Sequence, residues 1–156
     1  MPSLLVLAEP AGPLEGAAGI RRADAGALYL ERYLDEPIED RIERCSGVRA
    51  RRSAIVELGN FACRDSRVAG MFMSLLPATL LGRGLSWIAF TATLPVRRIL
   101  QRLGGRTFDL APADGACARD GADDWGRYYS QQPRVLAGYL PHAWANSVDE
   151  DPSRAG

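Results

Sequence analysis

Three side chains able to do chemistry fall within one short stretch, IVELGNFAC: Glu57, Asn60 and Cys63. The stretch otherwise reads as a buried strand, and Glu, Gly and Asn are poor residues for a strand interior because they pack badly or weaken the ladder. Glu57 therefore either sits at a strand edge, pairs with an arginine, or does chemistry, while Asn60 either closes a turn or contacts a ligand. Cys63 reads as a small buried residue or as an acyl acceptor. Other reactive constellations are missing. His142 is the sole histidine, near the end of the chain, so any Ser/His or Cys/His mechanism would depend on it. There is no G-x-S-x-G elbow, P-loop, H-E-x-x-H or dinucleotide glycine fingerprint. Cys45, Cys63 and Cys117 form no CxxC and no histidine spacing for zinc, so no metal site is expected.

The elements that must position these residues follow from periodicity. Ser3 to Glu9 and Leu14 to Ala23 read as strands of a hairpin joined by the turn PAGP, and LYLE (Leu28 to Glu31) alternates as a further short strand. In DEPIEDRIERCSG, Pro37 suits a first helical turn, acids fill the start, arginines the end, and Gly47 the stop; Ile38, Ile42 and Cys45 would face inward. A helix is predicted from Val68 to about Arg83, with Val68, Met71, Phe72, Leu75, Leu76, Thr79 and Leu80 as its buried stripe and Pro77 as a kink. Leu85 to Thr93 is an apolar run suited to a strand covered on both faces. LPVRRILQRLGG predicts a helix with Val96, Ile99, Leu100 and Leu103 on one side, then a strand TFDLA and a last strand from Val135 to Leu140. Strand, helix, strand, helix, strand between Ser53 and Ala111 implies an α/β core with a parallel crossover.

Composition bounds the rest. With 156 residues and 47% hydrophobic content, the chain can bury a real core, and one domain over residues 1–145 with a disordered tail over 146–156 is expected. The 19 basic residues, all arginine, cancel 19 acidic ones, so no overall field draws the protein to nucleic acid or anionic lipid. A Schiff-base or P-loop lysine is excluded. The start MPSLLVLAEP lacks a basic region, and no stretch approaches the roughly 20 apolar residues of a membrane span. A cytoplasmic protein without a transmembrane segment is expected.

LYLERYLDEPIE, IVELGNFA, WIAFTATLPVRRILQRLG, LAPAD and DWGRYYSQQPRVLAG, taken together and in this order, resemble the signature segments of the thermostable hemolysin family. That family is similar to the GNAT acyltransferase fold and, within it, to acyl-homoserine-lactone synthases. The resemblance implies an α/β (α+β) fold with a central mixed sheet flanked by helices, lacking the usual N-terminal strand and two helices. It implies a strand that splays from its parallel neighbour, leaving a V-shaped gap for a thioester arm. Glu57 would then be a general base or orient an amine, Asn60 would bond an amide or carbonyl, and Gly59 would permit a bulge. Phe61, Ala62 and Cys63 would run beside the pantetheine, with Thr91 and Thr93 on the opposite arm. Both threonines also read as ordinary core and cap residues. Arg64, Arg67 and Gly70 stand where the family fold carries its phosphate-binding loop, but neither register of CRDSRVAGMF matches that loop fully. Trp125, Tyr128 and Tyr129 would line an acyl pocket or form a packed aromatic cluster.

The function so implied is transfer of an acyl group from acyl-CoA or an acyl carrier protein, used as co-substrate with no permanently bound cofactor, to a small amine. A catalytically silent subunit is the alternative, with a second copy or a partner chain supplying the missing surface. A membrane-lytic protein is what the family's name implies, but the sequence offers it no mechanism.

Overall fold

The computed structural model describes residues 3–8, 10, 12–117 and 128–142. Strands β1 (Ser3–Ala8) and β2 (Leu14–Arg22) form the expected antiparallel hairpin, and β2 continues antiparallel onto β3 (Ile55–Cys63). From β3 the chain crosses over through helix α2 (Ser66–Leu81) to β4 (Trp87–Ala92), which lies parallel to β3. Helix α3 (Leu94–Arg102) then leads to β5 (Phe108–Pro112), and β6 (Arg134–Tyr139) inserts antiparallel between β4 and β5. The resulting mixed sheet runs β1-β2-β3-β4-β6-β5.

Each face of this sheet carries its own core, because alternate residues of a strand point to opposite sides. Val56, Leu58, Ile88 and Phe90 pack with Phe72, Leu76 and Leu80 of α2 and Leu100 of α3. Ile55, Trp87 and Ala89 pack on the other face with Ile38 and Ile42 of helix α1 (Ile38–Ser46), which lies between β2 and β3 in the chain. The apolar run through β4 is therefore covered on both faces, as its composition required. α1 ends as predicted, with Gly47 at φ 72° and its N–H on the Glu43 carbonyl at 2.8 Å.

Four local expectations are corrected. Leu28 to Glu31 is no strand: a 3-10 turn covers Tyr29–Tyr33, because its backbone N–H groups bond to carboxylates instead of a neighbouring strand. Cys45 is exposed, since α1 meets the sheet only through Ile38 and Ile42. On α2 the buried row is Val68, Phe72, Leu76 and Leu80, all at i, i+4 spacing, with Pro77 also buried; Met71, Leu75 and Thr79 face out. On α3 only Leu100 is buried, and Val96, Ile99 and Leu103 are exposed because the helix touches the sheet along a single line. Among the described residues no helix is long and apolar enough to cross a membrane. The tail expected over 146–156 lies outside the described residues.

Candidate active site

The site begins where two strands part. β3 and β4 are paired only at Ile55–Trp87, Val56–Ile88 and Glu57–Ala89. Beyond Glu57, β3 keeps its bonds to β2 through Leu58, Gly59, Ala62 and Cys63, while β4 keeps its bonds to β6 through Phe90, Thr91 and Ala92. The facing edges of the two strands are left without a ladder between them, forming a V with Glu57 at its apex. Unladdered N–H and C=O groups in such a gap are available to an extended polar ligand, in the manner of an added strand.

A bulge shapes the β3 arm. Between the Ala17–Ala62 and Gly19–Gly59 pairs, β2 has one intervening residue and β3 has two, Asn60 and Phe61. The bulged residue is Asn60, held at φ 50°, a conformation that asparagine tolerates better than most residues. The bulge expected at Gly59 is thus centred one residue later. Gly59 has a different use: a Cβ there would meet nothing within 4 Å, so the space beside the apex stays open. Across the ladder Gly19 is closely approached, as its Cβ would lie 3.3 Å from the Gly59 carbonyl oxygen.

Glu57 is 8% exposed, and its carboxylate accepts the backbone N–H groups of Tyr29 at 2.9 Å and Leu30 at 2.8 Å. Burial raises its pKa, opposed by these two donors. The turn that supplies the donors is itself clamped. Glu31 accepts the N–H of Leu28 at 2.8 Å and of Ile38 at 3.2 Å, and Arg52 grips Glu31 at 2.7 and 2.9 Å. Arg52 also bonds Glu39 at 2.7 Å and the carbonyl of Ala23 at 2.9 Å. This pairing holds the Glu31 carboxyl below the usual range.

On the β4 arm, Thr91 is half-buried and lies near Tyr128, and Thr93 stands at the N-cap position of α3 without a side-chain cap bond. Tyr128 meets Tyr129 edge to face at 5.3 Å, and the Tyr129 hydroxyl lies 3.0 Å from that of Tyr33. Burial and the neighbouring phenol push the Tyr33 pKa far up. Tyr128 and Tyr129 thus pack on each other and on Tyr33; Trp125 lies outside the described residues.

The remaining expected residues lie along the start of α2. Phe61 is partly exposed and packs edge to face on Phe72 at 5.3 Å, and Ala62 is exposed. Cys63 is half-buried, with its thiol pKa raised by burial and by Asp65, which leaves it a poor nucleophile. Arg64 pairs with buried Glu15 at 2.7 Å and with Asp65 at 3.3 Å, while Arg67 is exposed in the first helical turn. Asp65 is the N-cap of α2 and accepts the Val68 N–H at 2.9 Å, which keeps its carboxyl low. An acidic cap therefore occupies the helix end where a pyrophosphate would need free N–H groups. Gly70 lies within α2, half-buried.

Tyr33, Glu31 and Arg52 were not singled out from sequence. The only signal available was that Tyr33 and Glu31 belong to LYLERYLDEPIE, whose role depends on contacts with residues far along the chain.

Comparisons with known proteins bear on the family and the fold. The family described as thermostable hemolysin matches residues 1–144. A search of curated proteins returned no match. Among solved structures, TofI in a ternary complex with an inhibitor and MTA superposes with a TM-score of 0.58 at 16% identity, covering 96% of this chain and 70% of that one. MesI, a CoA-dependent acyl-homoserine lactone synthase, gives 0.58 at 18% identity over 91% of this chain and 65% of its own. FeeM, an N-acyl amino acid synthase from uncultured soil microbes, gives 0.54 at 16% identity over 93% and 77%. Likeness at such identities establishes the fold. The chain belongs to the thermostable hemolysin family and has the GNAT-like fold of the acyl-homoserine-lactone synthases.

Proposed function

We propose that the protein is an acyltransferase that moves an acyl group from a thioester to a small amine. The parting of β3 and β4 directly after Glu57 carries this reading. A thioester arm would lie between Phe61–Cys63 and Thr91, its amides meeting the unladdered backbone. The amine would approach from the open side of Gly59. Its nitrogen attacks the thioester carbonyl, forming the C–N bond, and Glu57 takes the departing proton directly or through one water. Backbone N–H groups of the V stabilise the oxyanion. Collapse breaks the C–S bond, and the thiolate leaves with the proton, giving an amide and a free thiol. The raised pKa of Glu57 suits a base, and each of its oxygens keeps a lone pair beyond the one given to Tyr29 or Leu30.

Asp65 favours a carrier-protein thioester over CoA as donor. Its charge and its hold on the Val68 N–H oppose a pyrophosphate at the start of α2, and Arg64 is already paired. Solved relatives of this fold include CoA-dependent synthases, so the donor is tested directly.

A second reading has its own support. Glu57 serves the Tyr29–Leu30 turn, and Leu4 and Val6 are exposed on the edge strand β1, as suits a subunit that binds a thioester but completes its site with another chain. One experiment separates the two. The purified protein is titrated with acyl-CoA and with acyl-loaded carrier protein in the presence of mixed amino acids, following thermal stabilisation and thiol release, in wild type, Glu57→Gln and Gly59→Leu. Stabilisation and thiol release by wild type, with release lost in Glu57→Gln and binding lost in Gly59→Leu, is the expected result. Stabilisation without release supports the subunit reading. Absence of stabilisation by either donor overturns both.

A further inference from the structure

The turn that holds Glu57 is fastened from its far side by one arginine. Arg52 lies at the foot of β3, in a 3-10 turn over Arg52–Ala54, and its five N–H groups meet five acceptors. Nη1 and Nη2 each take one oxygen of Glu31, at 2.7 and 2.9 Å. Nη1 also reaches Glu39 at 2.7 Å, while Nε and Nη2 reach the carbonyls of Ala23 at 2.9 Å and Gly26 at 3.2 Å. One planar fork thus ties the segment after β2, the Tyr29–Tyr33 turn and the first turn of α1 to the foot of β3. A lysine has three donors and no fixed fork, so it cannot reproduce this grip.

Glu31 connects the fork to the reaction site. Its oxygens accept the N–H groups of Leu28 at 2.8 Å and Ile38 at 3.2 Å, while Glu57 accepts those of Tyr29 and Leu30, so two carboxylates share one turn. Their charges are coupled as well. Glu31 opposes the negative charge of Glu57, and Arg21, the β2 partner of Glu57, favours it; β4 places only Ala89 at this level. A Glu31 deprived of its cation repels Glu57 more strongly and loosens the turn whose N–H groups stabilise the Glu57 carboxylate. Both changes act in one direction, toward protonated Glu57.

We propose that Arg52 is a positioning residue for the reaction: acting through Glu31 and the Tyr29–Leu30 turn, it keeps the Glu57 carboxylate oriented and ionised, although none of its five hydrogen bonds goes to Glu57. The inference rests on the reading of Glu57 as the base of acyl transfer. Glu57 is followed by carbon NMR of protein labelled at the glutamate carboxyl carbons, its signal identified by its absence in Glu57→Gln. The titration midpoint is expected to rise by about one pH unit in Arg52→Met, about a tenfold loss of ionised base at a given acid pH, and by less in Arg52→Lys. In a Glu31→Gln background Arg52→Lys leaves the midpoint in place, because the link is gone. The acid limb of thiol release from the donor moves with the midpoint. An unmoved midpoint in Arg52→Met makes Arg52 purely structural and overturns the proposal, as does a rise that persists undiminished in the Glu31→Gln background. If Arg52→Met does not fold, an unmoved midpoint in Arg52→Lys overturns it instead. An acid limb that stays in place while the midpoint moves overturns the role in the reaction. Absence of thiol release from wild type at every pH, with the midpoints moving as expected, overturns the acyl-transfer reading and not the action of Arg52 on Glu57.

Discussion

The two halves of β3 are one strand in sequence but two environments in space. Ile55 to Glu57 is buried, with Val56 and Glu57 paired on both edges and Ile55 on the β4 edge, while Gly59 to Ala62 is exposed and paired only to β2, through Gly59 and Ala62. The first half is stabilised by its neighbours and can hold a carboxylate rigidly. The second half gives up a ladder and so exposes backbone that a ligand can use. A site at the junction inherits rigidity from one side and access from the other, which is what catalytic positioning requires.

Breaking the first half gives the largest effect. Ile55→Ala removes a side chain with no exposed surface from the α1-side core and is expected to cost about 3 kcal/mol in denaturant unfolding. A loss below about 1 kcal/mol would show that this half is less tightly packed than its burial implies. Arg52→Ala acts one step removed, on the clamp that presents Tyr29 and Leu30 to Glu57. It is expected to cost about 2 kcal/mol, since it leaves the part-buried Glu31 without its partner. The same pair sets a pH dependence. Glu31 has a depressed pKa in the folded protein, so its contribution is present above its ordinary value of 4.5 and is lost as pH falls through the lowered value. Urea unfolding between pH 7 and 3 should show a stability difference between wild type and Arg52→Ala that shrinks towards the acid end. Glu57 works in the opposite sense: its raised pKa favours the protonated fold, so its share of stability is present at low pH and declines as pH rises through that raised value.

The smallest expected effect on stability sharpens the comparison most. Gly59→Leu places a side chain where nothing lies within 4 Å, and should change unfolding free energy by less than about 0.5 kcal/mol. It should nevertheless abolish thermal stabilisation by the thioester donor. A Gly59→Leu protein that still binds the donor would mean that the open half of β3 is surface and not site.

Much of the fold was legible because periodicity is local. The strands, the three helices and the parallel crossover follow from spacing within short windows, as with Leu85 to Thr93, whose unbroken apolar run could only be covered on both faces. Errors arose where burial depended on a partner. Met71 and Val96 fit a helical stripe as well as Phe72 and Leu100 do, but each helix meets the sheet along one row, and only packing selects which. The Leu28 to Glu31 segment failed for a sharper reason: its alternation is that of a strand, yet Glu57, 27 residues beyond Leu30, captures its N–H groups and bends it into a turn.

By itself, then, the sequence determined the composition of each element and singled out the anomaly at Glu57, Gly59 and Asn60, since polar residues in a strand are conspicuous without any structure. Tertiary structure decided what the anomaly is for. The V depends on where the β3–β4 ladder stops, and the fixed carboxylate depends on a turn from another part of the chain. Pairing and desolvation are properties of distance, and residues far apart in the chain acquire a distance only when it folds.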